Sequence, residues 1–145
     1  MKTATNAMPE PAIFDYCIYT IRHSDDLAHA AAAGGRAEYE EHTAWVTGLE
    51  LFQQAQRSQT RMPVLFGAAE RASGIIYRGF LESVSVTEPE PGMALTRYVV
   101  TQLKPVSGEP AKSTLVLRSS GGPLSDQYIR PYAICVTPDF VKAEA

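Results

Sequence analysis

Two cysteines in 145 residues, Cys17 and Cys135, are too few for a disulfide framework. Each stands in an apolar stretch and reads as a buried thiol acting as a small hydrophobe; a bond between them needs their strands to be neighbours. The three histidines, His23, His29 and His42, fall in no H-E-x-x-H spacing and beside no C-x-x-C pair, which excludes the usual zinc signatures. G-x-S-x-G is missing, so the serines lack the setting of a nucleophile elbow. Gly121-Gly122 is not followed by the Lys-Ser/Thr of a P-loop, and no G-x-G-x-x-G occurs. No cofactor and no metal are therefore expected. No stretch approaches the roughly 20 apolar residues that span a bilayer, and residues 1–12 lack the apolar run of a signal peptide. They read as a disordered leader, and a cytoplasmic location without membrane contact is expected.

A surplus of positive charge is also missing. The net charge is −3, so the chain carries no global signature of a nucleic-acid binder. The distribution is less even than the total. Residues 1–47 hold three bases and seven acids, whereas residues 48–130 hold nine bases and seven acids. Any anion-binding surface is expected in the middle and later part of the chain, as a few directed contacts rather than a phosphate track.

What is present is a hydrophobic fraction of 45%, ordinary for a folded chain, in a length that suits one domain. A single globular domain over 13–141 is expected, with 142–145 as a tail. Residues 13–21 are rich in β-branched and aromatic side chains and read as a strand covered on both faces. Ser24 with Asp25 and Asp26 opens a helix that Gly34-Gly35 stops. A second short helical run is predicted around Arg36–His42. Thr47 and Glu50 fit a capping box for a helix over 49–59, with Leu49, Phe52 and Ala55 on one face. Residues 63–66 read as a short buried strand and 74–86 as a long one. Gly79 marks a bulge or corner in the latter. After a turn at 88–92, residues 95–103 return as its partner. Strands are also predicted over 113–117 and 129–137, with Pro138 ending the last and Phe140 packing back. About six strands, clustered late and joined by short turns, predict an α+β fold with a small curved or barrel-like sheet. The lack of helices in the second half excludes a Rossmann-type sheet.

Recognition groups are densest in residues 115–140. Arg118-Ser119-Ser120-Gly121-Gly122-Pro123 and Tyr128-Ile129-Arg130-Pro131-Tyr132 sit there between two apolar runs. Loops of this kind, held by strands, tend to carry function. Arg118 and Arg130 can offer forked hydrogen bonds to a phosphate or base edge, and Ser119 and Ser120 can supplement them. Tyr16, Trp45 and Tyr132 can stack a planar base at about 1–3 kcal/mol per ring. The competing reading is that the rings fill the core and the arginines pair with acids such as Asp15 or Glu82. Whether Arg118 and Arg130 converge depends on strand register.

The order of elements over residues 13–105 is similar to the PUA-like superfamily, and in particular to EVE and ASCH domains. The likeness rests on the aromatic strand from Phe14 to Ile21, the helical insert with its lone Trp45, and the helix leading into Met62-Pro63-Val64-Leu65-Phe66. It continues through Gly74-Ile75-Ile76-Tyr77-Arg78-Gly79-Phe80 and the pairing segment from Thr96 to Leu103. The chain departs from these families in lacking the early Tyr-Trp pair of EVE domains and the Gly-x-Lys-x-x-Glu-like motif of ASCH domains. The resemblance implies a pseudo-barrel of mixed or antiparallel strands, with helices inserted after the first strand. The expected function is a binding module for a nucleobase-like ligand, without catalysis. That ligand would be a modified base in single-stranded nucleic acid, or a nucleotide. Its binding residues would be Tyr16, Trp45, Arg118, Ser119, Ser120, Arg130 and Tyr132. Two alternatives stand beside it: a small hydrolase of a modified nucleoside or amide using Ser119 or Thr137, and a protein-interaction or sensor domain with no small ligand.

Overall fold

A computed structural model describes residues 11–70, 74–124 and 132–144. Strand β1 (Tyr16–Arg22) leads through helix α1 (Ser24–Ala32), strand β2 (Ala37–Glu41) and helix α2 (Val46–Arg57) to strand β3 (Pro63–Ala68). The long hairpin β4 (Tyr77–Glu90) and β5 (Met93–Pro105) follows, then a 3-10 turn at Lys112–Thr114, strand β6 (Tyr132–Val136) and helix α3 (Asp139–Lys142). The strands form one six-stranded mixed sheet in the order β2-β5-β4-β3-β1-β6. The β1–β3 pair is parallel, and its crossover carries α1, β2 and α2. No helix among the described residues is long and apolar enough to cross a membrane.

Both faces of the sheet are buried at β1 and β3, which explains the impure alternation of β1. Ile18 of β1 and Val64, Phe66 and Ala68 of β3 join Leu51, Phe52 and Ala55 of α2 in one apolar cluster. Cys17, Tyr19 and Leu65 point the other way, into a second cluster with Leu115, Leu124, Cys135 and Val141. Two faces need two covers. The helices supply one, and the segment after β5 supplies much of the other. Cys17 and Cys135 stand directly opposite each other in the β1–β6 register as free, buried thiols. Burial pushes the Cys135 thiol up to about 12.

The expected α+β class is observed, but the sheet is not closed into a barrel. β1 and β2 do not pair. The sheet nevertheless curls. Arg22, at the end of β1, donates to the Glu40 carbonyl at 2.7 Å and to Glu41 Oε1 at 2.8 Å in β2, although three strands separate β1 from β2 in the sheet. Register shifts along the β4–β5 hairpin, one of them at Gly79 between Arg78 and Phe80, supply the coiling that bulges give. A Cβ on Gly79 would lie 3.2 Å from Val100 Cβ, so the glycine also permits the close approach of β5.

Local expectations fare unevenly. The Gly34-Gly35 stop is observed: both have positive φ, 114° and 82°, and the Gly35 N–H closes on the Ala30 carbonyl at 2.9 Å. The helical run at Arg36–His42 is corrected to strand β2. Its glutamates suggest helix, but Glu38 and Glu40 alternate as exposed residues with half-buried Ala37, Tyr39 and Glu41, and β5 offers an open edge to pair with. Tertiary pairing overrides a weak propensity. The strand expected at 113–117 begins instead as the 3-10 turn, after which Val116 and Leu117 make only single bridges, to Pro123 and Cys135. Neither long helix has a side-chain cap. His23 precedes α1 and Trp45 precedes α2, so Ser24 and Thr47 are helical residues rather than caps. Residues 142–144, beyond the boundary expected at 141, are tied to the fold. Lys142 Nζ meets Asp15 Oδ1 at 2.6 Å, and the Glu144 carboxylate pairs with Arg78 and, at 2.9 Å, with Lys104.

Candidate ligand site

The turn after Leu117 is positioned by backbone bonds on both sides. Leu117 N–H donates to Gly122 O at 2.8 Å, and Gly121 N–H donates to Leu117 O at 2.9 Å. Gly121 takes a positive φ of 72° there, which a glycine adopts without strain. On the other side, Arg118 N–H donates to Ile134 O at 3.0 Å, along the outer edge of β6. The turn is therefore docked on the sheet, and Arg118 and Ser119 are exposed upon it. Ser120 is spent differently, since its hydroxyl accepts the Gly122 N–H at 3.2 Å within the turn.

Tyr132 opens β6 opposite Thr20. Its hydroxyl accepts the Gly48 N–H at 2.8 Å, in the first turn of α2. Its ring stacks on Trp45 with centroids 5.0 Å apart and planes 12° apart. Trp45 in turn stacks on Tyr98 at 4.4 Å and 26°. The Trp45 backbone is fixed as well, its N–H donating to Thr96 Oγ1 at 3.1 Å while that hydroxyl donates to Thr43 O at 2.6 Å. Trp45 is fully buried, so its ring contacts are made inside the protein. It braces Tyr132 from within. Tyr16 lies two residues before Ile18 on β1, and the Arg118 guanidinium sits 5.1 Å over its ring, a cation–π arrangement that orients the arginine.

Between these elements lies a cavity of about 310 Å³, lined by Thr47, Leu117, Arg118, Ser119, Tyr132, Ala133 and Ile134. Of the residues singled out in the sequence, Arg118, Ser119 and Tyr132 line it. Tyr16 meets it through Arg118, and Trp45 through Tyr132. Ser120 stands outside its lining, and Arg130 lies outside the described residues. Thr47, read as a cap, proves to be a wall residue. Trp45 precedes α2, which places Thr47 within the helix rather than at its cap. No sequence signal distinguishes these two uses of a threonine at a helix start. The chemistry offered is one guanidinium, two hydroxyls, a phenol ring and an apolar floor. Thr137, the other hydroxyl weighed as a nucleophile, is committed to the Phe14 carbonyl at 2.8 Å.

A second, more open cavity of about 600 Å³ is lined by Arg22, Glu38, Tyr39, Glu40 and Arg97. No local signal in the sequence marks these residues: β2 has the composition of a helix, and Arg22 lies just past the strand expected over 13–21. Among the described residues, no group of three or more His, Cys, Asp or Glu is placed to hold a metal ion.

No protein-family model matches the sequence. No curated protein matches it either.

Proposed function

We propose that the protein is a binding module for a nucleobase-like ligand, carried either as a modified base in single-stranded nucleic acid or as a nucleotide. The observation that carries this reading is the cavity that joins Arg118, Ser119 and Tyr132, with Trp45 stacked behind the tyrosine. At about 310 Å³ it falls at the small end of ligand pockets, roughly 300–1,000 Å³, which suits one base better than a stretch of strand. Tyr132 offers a ring held by two contacts, so little ordering is needed on binding. Arg118 offers charged donors to a phosphate or a base carbonyl.

Thermal shift on the purified chain tests this, with nucleosides, modified nucleosides, nucleotides, short single-stranded oligonucleotides and a polyanion control. A ligand at about one hundred times its Kd stabilises by roughly 2.7 kcal/mol, a rise of several degrees. The expected result is a shift with one base class and none with the polyanion. Arg118→Ala removes an exposed side chain and should leave the unliganded Tm unchanged. It should weaken binding by about 1.5–3 kcal/mol, the worth of a hydrogen bond to a charged group, on the order of 10- to 100-fold. Binding that is unaltered in a folded Arg118→Ala variant would refute the role. A specific observation favours one other reading. Val116 and Val136, 39% and 41% exposed, are joined by a backbone bond of 2.8 Å and form a small apolar edge. No shift with any ligand up to millimolar would favour a protein-docking role there.

A further inference from the structure

Cys17 and Cys135 stand directly opposite each other where β1 and β6 pair. They are the two cysteines of the chain, both are free thiols, and both side chains point into the same buried cluster. The backbone shows which kind of opposed pair they are. Thr137 N–H donates to Asp15 O at 2.8 Å, so Cys135, two residues earlier on β6, also turns its backbone toward β1. Val136 N–H and Ile134 O are bonded on the outer side instead, to Val116 and Arg118. Cys17 and Cys135 are therefore a hydrogen-bonded pair, with Cα atoms about 5.5 Å apart. A disulfide tolerates Cα separations of roughly 4.4–6.8 Å but needs its Cβ atoms about 3.5–4.5 Å apart. Opposed Cβ atoms in a hydrogen-bonded pair lie toward the upper end of about 4.5–5.5 Å. The bond is within reach, and it forms by drawing the two strands together by about 1 Å. A disulfide closed in this way is strained, and it is reduced more readily than a relaxed structural one.

We propose that Cys17 and Cys135 are a redox pair, which hydrogen peroxide converts to a reversible disulfide between β1 and β6. In the first step one thiol takes an oxygen from peroxide, becomes a sulfenic acid and releases one water. In the second, the sulfur of the other thiol attacks the sulfenic sulfur. The S–S bond forms as the S–O bond breaks, and the oxygen leaves as a second water with the thiol proton. The closed fold protects both groups. Burial pushes the Cys17 thiol well above its ordinary 9.0, with the Cys135 sulfur adding to the effect, and it pushes Cys135 up to about 12. Both stay protonated and slow to react, so oxidation passes through a local opening of β6. That strand is five residues long and stands at the edge of the sheet, and short edge elements open at less than the global cost of unfolding. Tyr132, Ala133 and Ile134 of the same strand line the Arg118 cavity, so closing β6 onto β1 shifts one wall of that cavity. The disulfide itself does not rest on what the cavity binds.

The test is treatment of the full, reduced chain with hydrogen peroxide, then alkylation in denaturant and intact-mass measurement. Before treatment both cysteines are alkylated. The expected product is a monomer two hydrogens lighter than the reduced chain, with neither cysteine alkylated. Millimolar glutathione should return it to the doubly alkylated form. Cys135→Ala should yield no such species, its Cys17 either staying reduced or gaining oxygen; if that variant fails to fold, Cys17→Ala answers the same question. Two thiols that remain alkylated after excess peroxide overturn the proposal. A chain that gains oxygens without losing the two hydrogens overturns it too, as does a covalent dimer on a non-reducing gel. A disulfide that resists glutathione and yields only to dithiothreitol overturns the reversible role and marks the bond as a structural one.

Discussion

Gly48 shows how much a single position can decide at the candidate site. It lies in α2, where alanine would be better than glycine by up to about 1 kcal/mol. Yet a Cβ there would stand 3.0 Å from the Tyr132 hydroxyl and 3.2 Å from Ile18 Cδ1. The tyrosine is held at that point by the Gly48 N–H and at its ring by Trp45, so it has little room to give. Overpacking costs about 1–3 kcal/mol, which outweighs the gain in propensity. Gly48→Ala should therefore destabilise the protein by about 1–2 kcal/mol in urea unfolding. It should also lower the affinity of whatever ligand the Arg118 cavity takes, because Tyr132 moves. Stability above wild type would mean that the ring is free to shift. At this scale the sequence was informative about chemistry and poor about placement. Arg118, Ser119 and Tyr132 stand out as recognition groups in a loop and do meet in one cavity. Trp45 stands out equally, but composition cannot tell a ring that faces a ligand from one buried behind another ring. Arg22 carried no local signal, because its partners lie in a strand that is distant in the sheet.

Elements with strong local signals formed as read, and those that depend on a distant partner did not. The glycine pair after α1, the apolar run of β3 and the long β4–β5 hairpin are legible because turn chemistry and composition are local. β2 is not, since its five residues become a strand only by pairing with β5. The C-terminal helix α3 depends on distant partners too, and its attachment can be tested. The Arg78 guanidinium is nearly fully buried, donates to the Gln102 carbonyl at 2.7 Å and pairs with Glu144. Partial burial works against ionisation of Glu144, but hydrogen bonds from Arg78 and Lys104 outweigh it and hold the carboxyl below its ordinary value of 4.5. A lowered folded pKa means that the pairing stabilises the protein above the unfolded pKa. The contribution is lost as pH falls through the folded one. Glu144→Gln should thus cost about 1.5–3 kcal/mol near neutral pH, and the gap to wild type should shrink below about pH 4.5. Chemical denaturation at a series of pH values measures this. A gap that does not depend on pH would assign the effect to packing rather than charge.

At the scale of the whole molecule, the question is what keeps an open sheet curled. Pairing accounts for neighbouring strands only, and β2 has one, β5. Its other edge is held by no strand. The contact that spans the gap is Arg22, with hydrogen bonds to the Glu40 carbonyl and the Glu41 carboxylate and its guanidinium over Tyr39. Tyr39 in turn meets Phe66 of β3 with ring centroids 6.1 Å apart, so β2 touches strands on both sides of the curl. Glu41 is a reluctant partner, because burial raises its carboxyl pKa more than Arg22 lowers it. The arginine is therefore compensating a cost that the curl itself imposes. Arg22→Ala removes two hydrogen bonds that involve a charged group, worth about 1.5–3 kcal/mol each when buried and less at the solvent-facing end. The loss should fall first on β2. In native-state hydrogen exchange, amides of Ala37–Glu41 should lose roughly 10-fold or more in protection. Those of β1 and β3, paired with each other and covered on both faces, should change little. If protection fell equally across all strands, the curl would be a property of the whole sheet and its bulges, with Arg22 merely one more contributor. If β2 kept its protection, pairing with β5 would suffice to hold the edge in place.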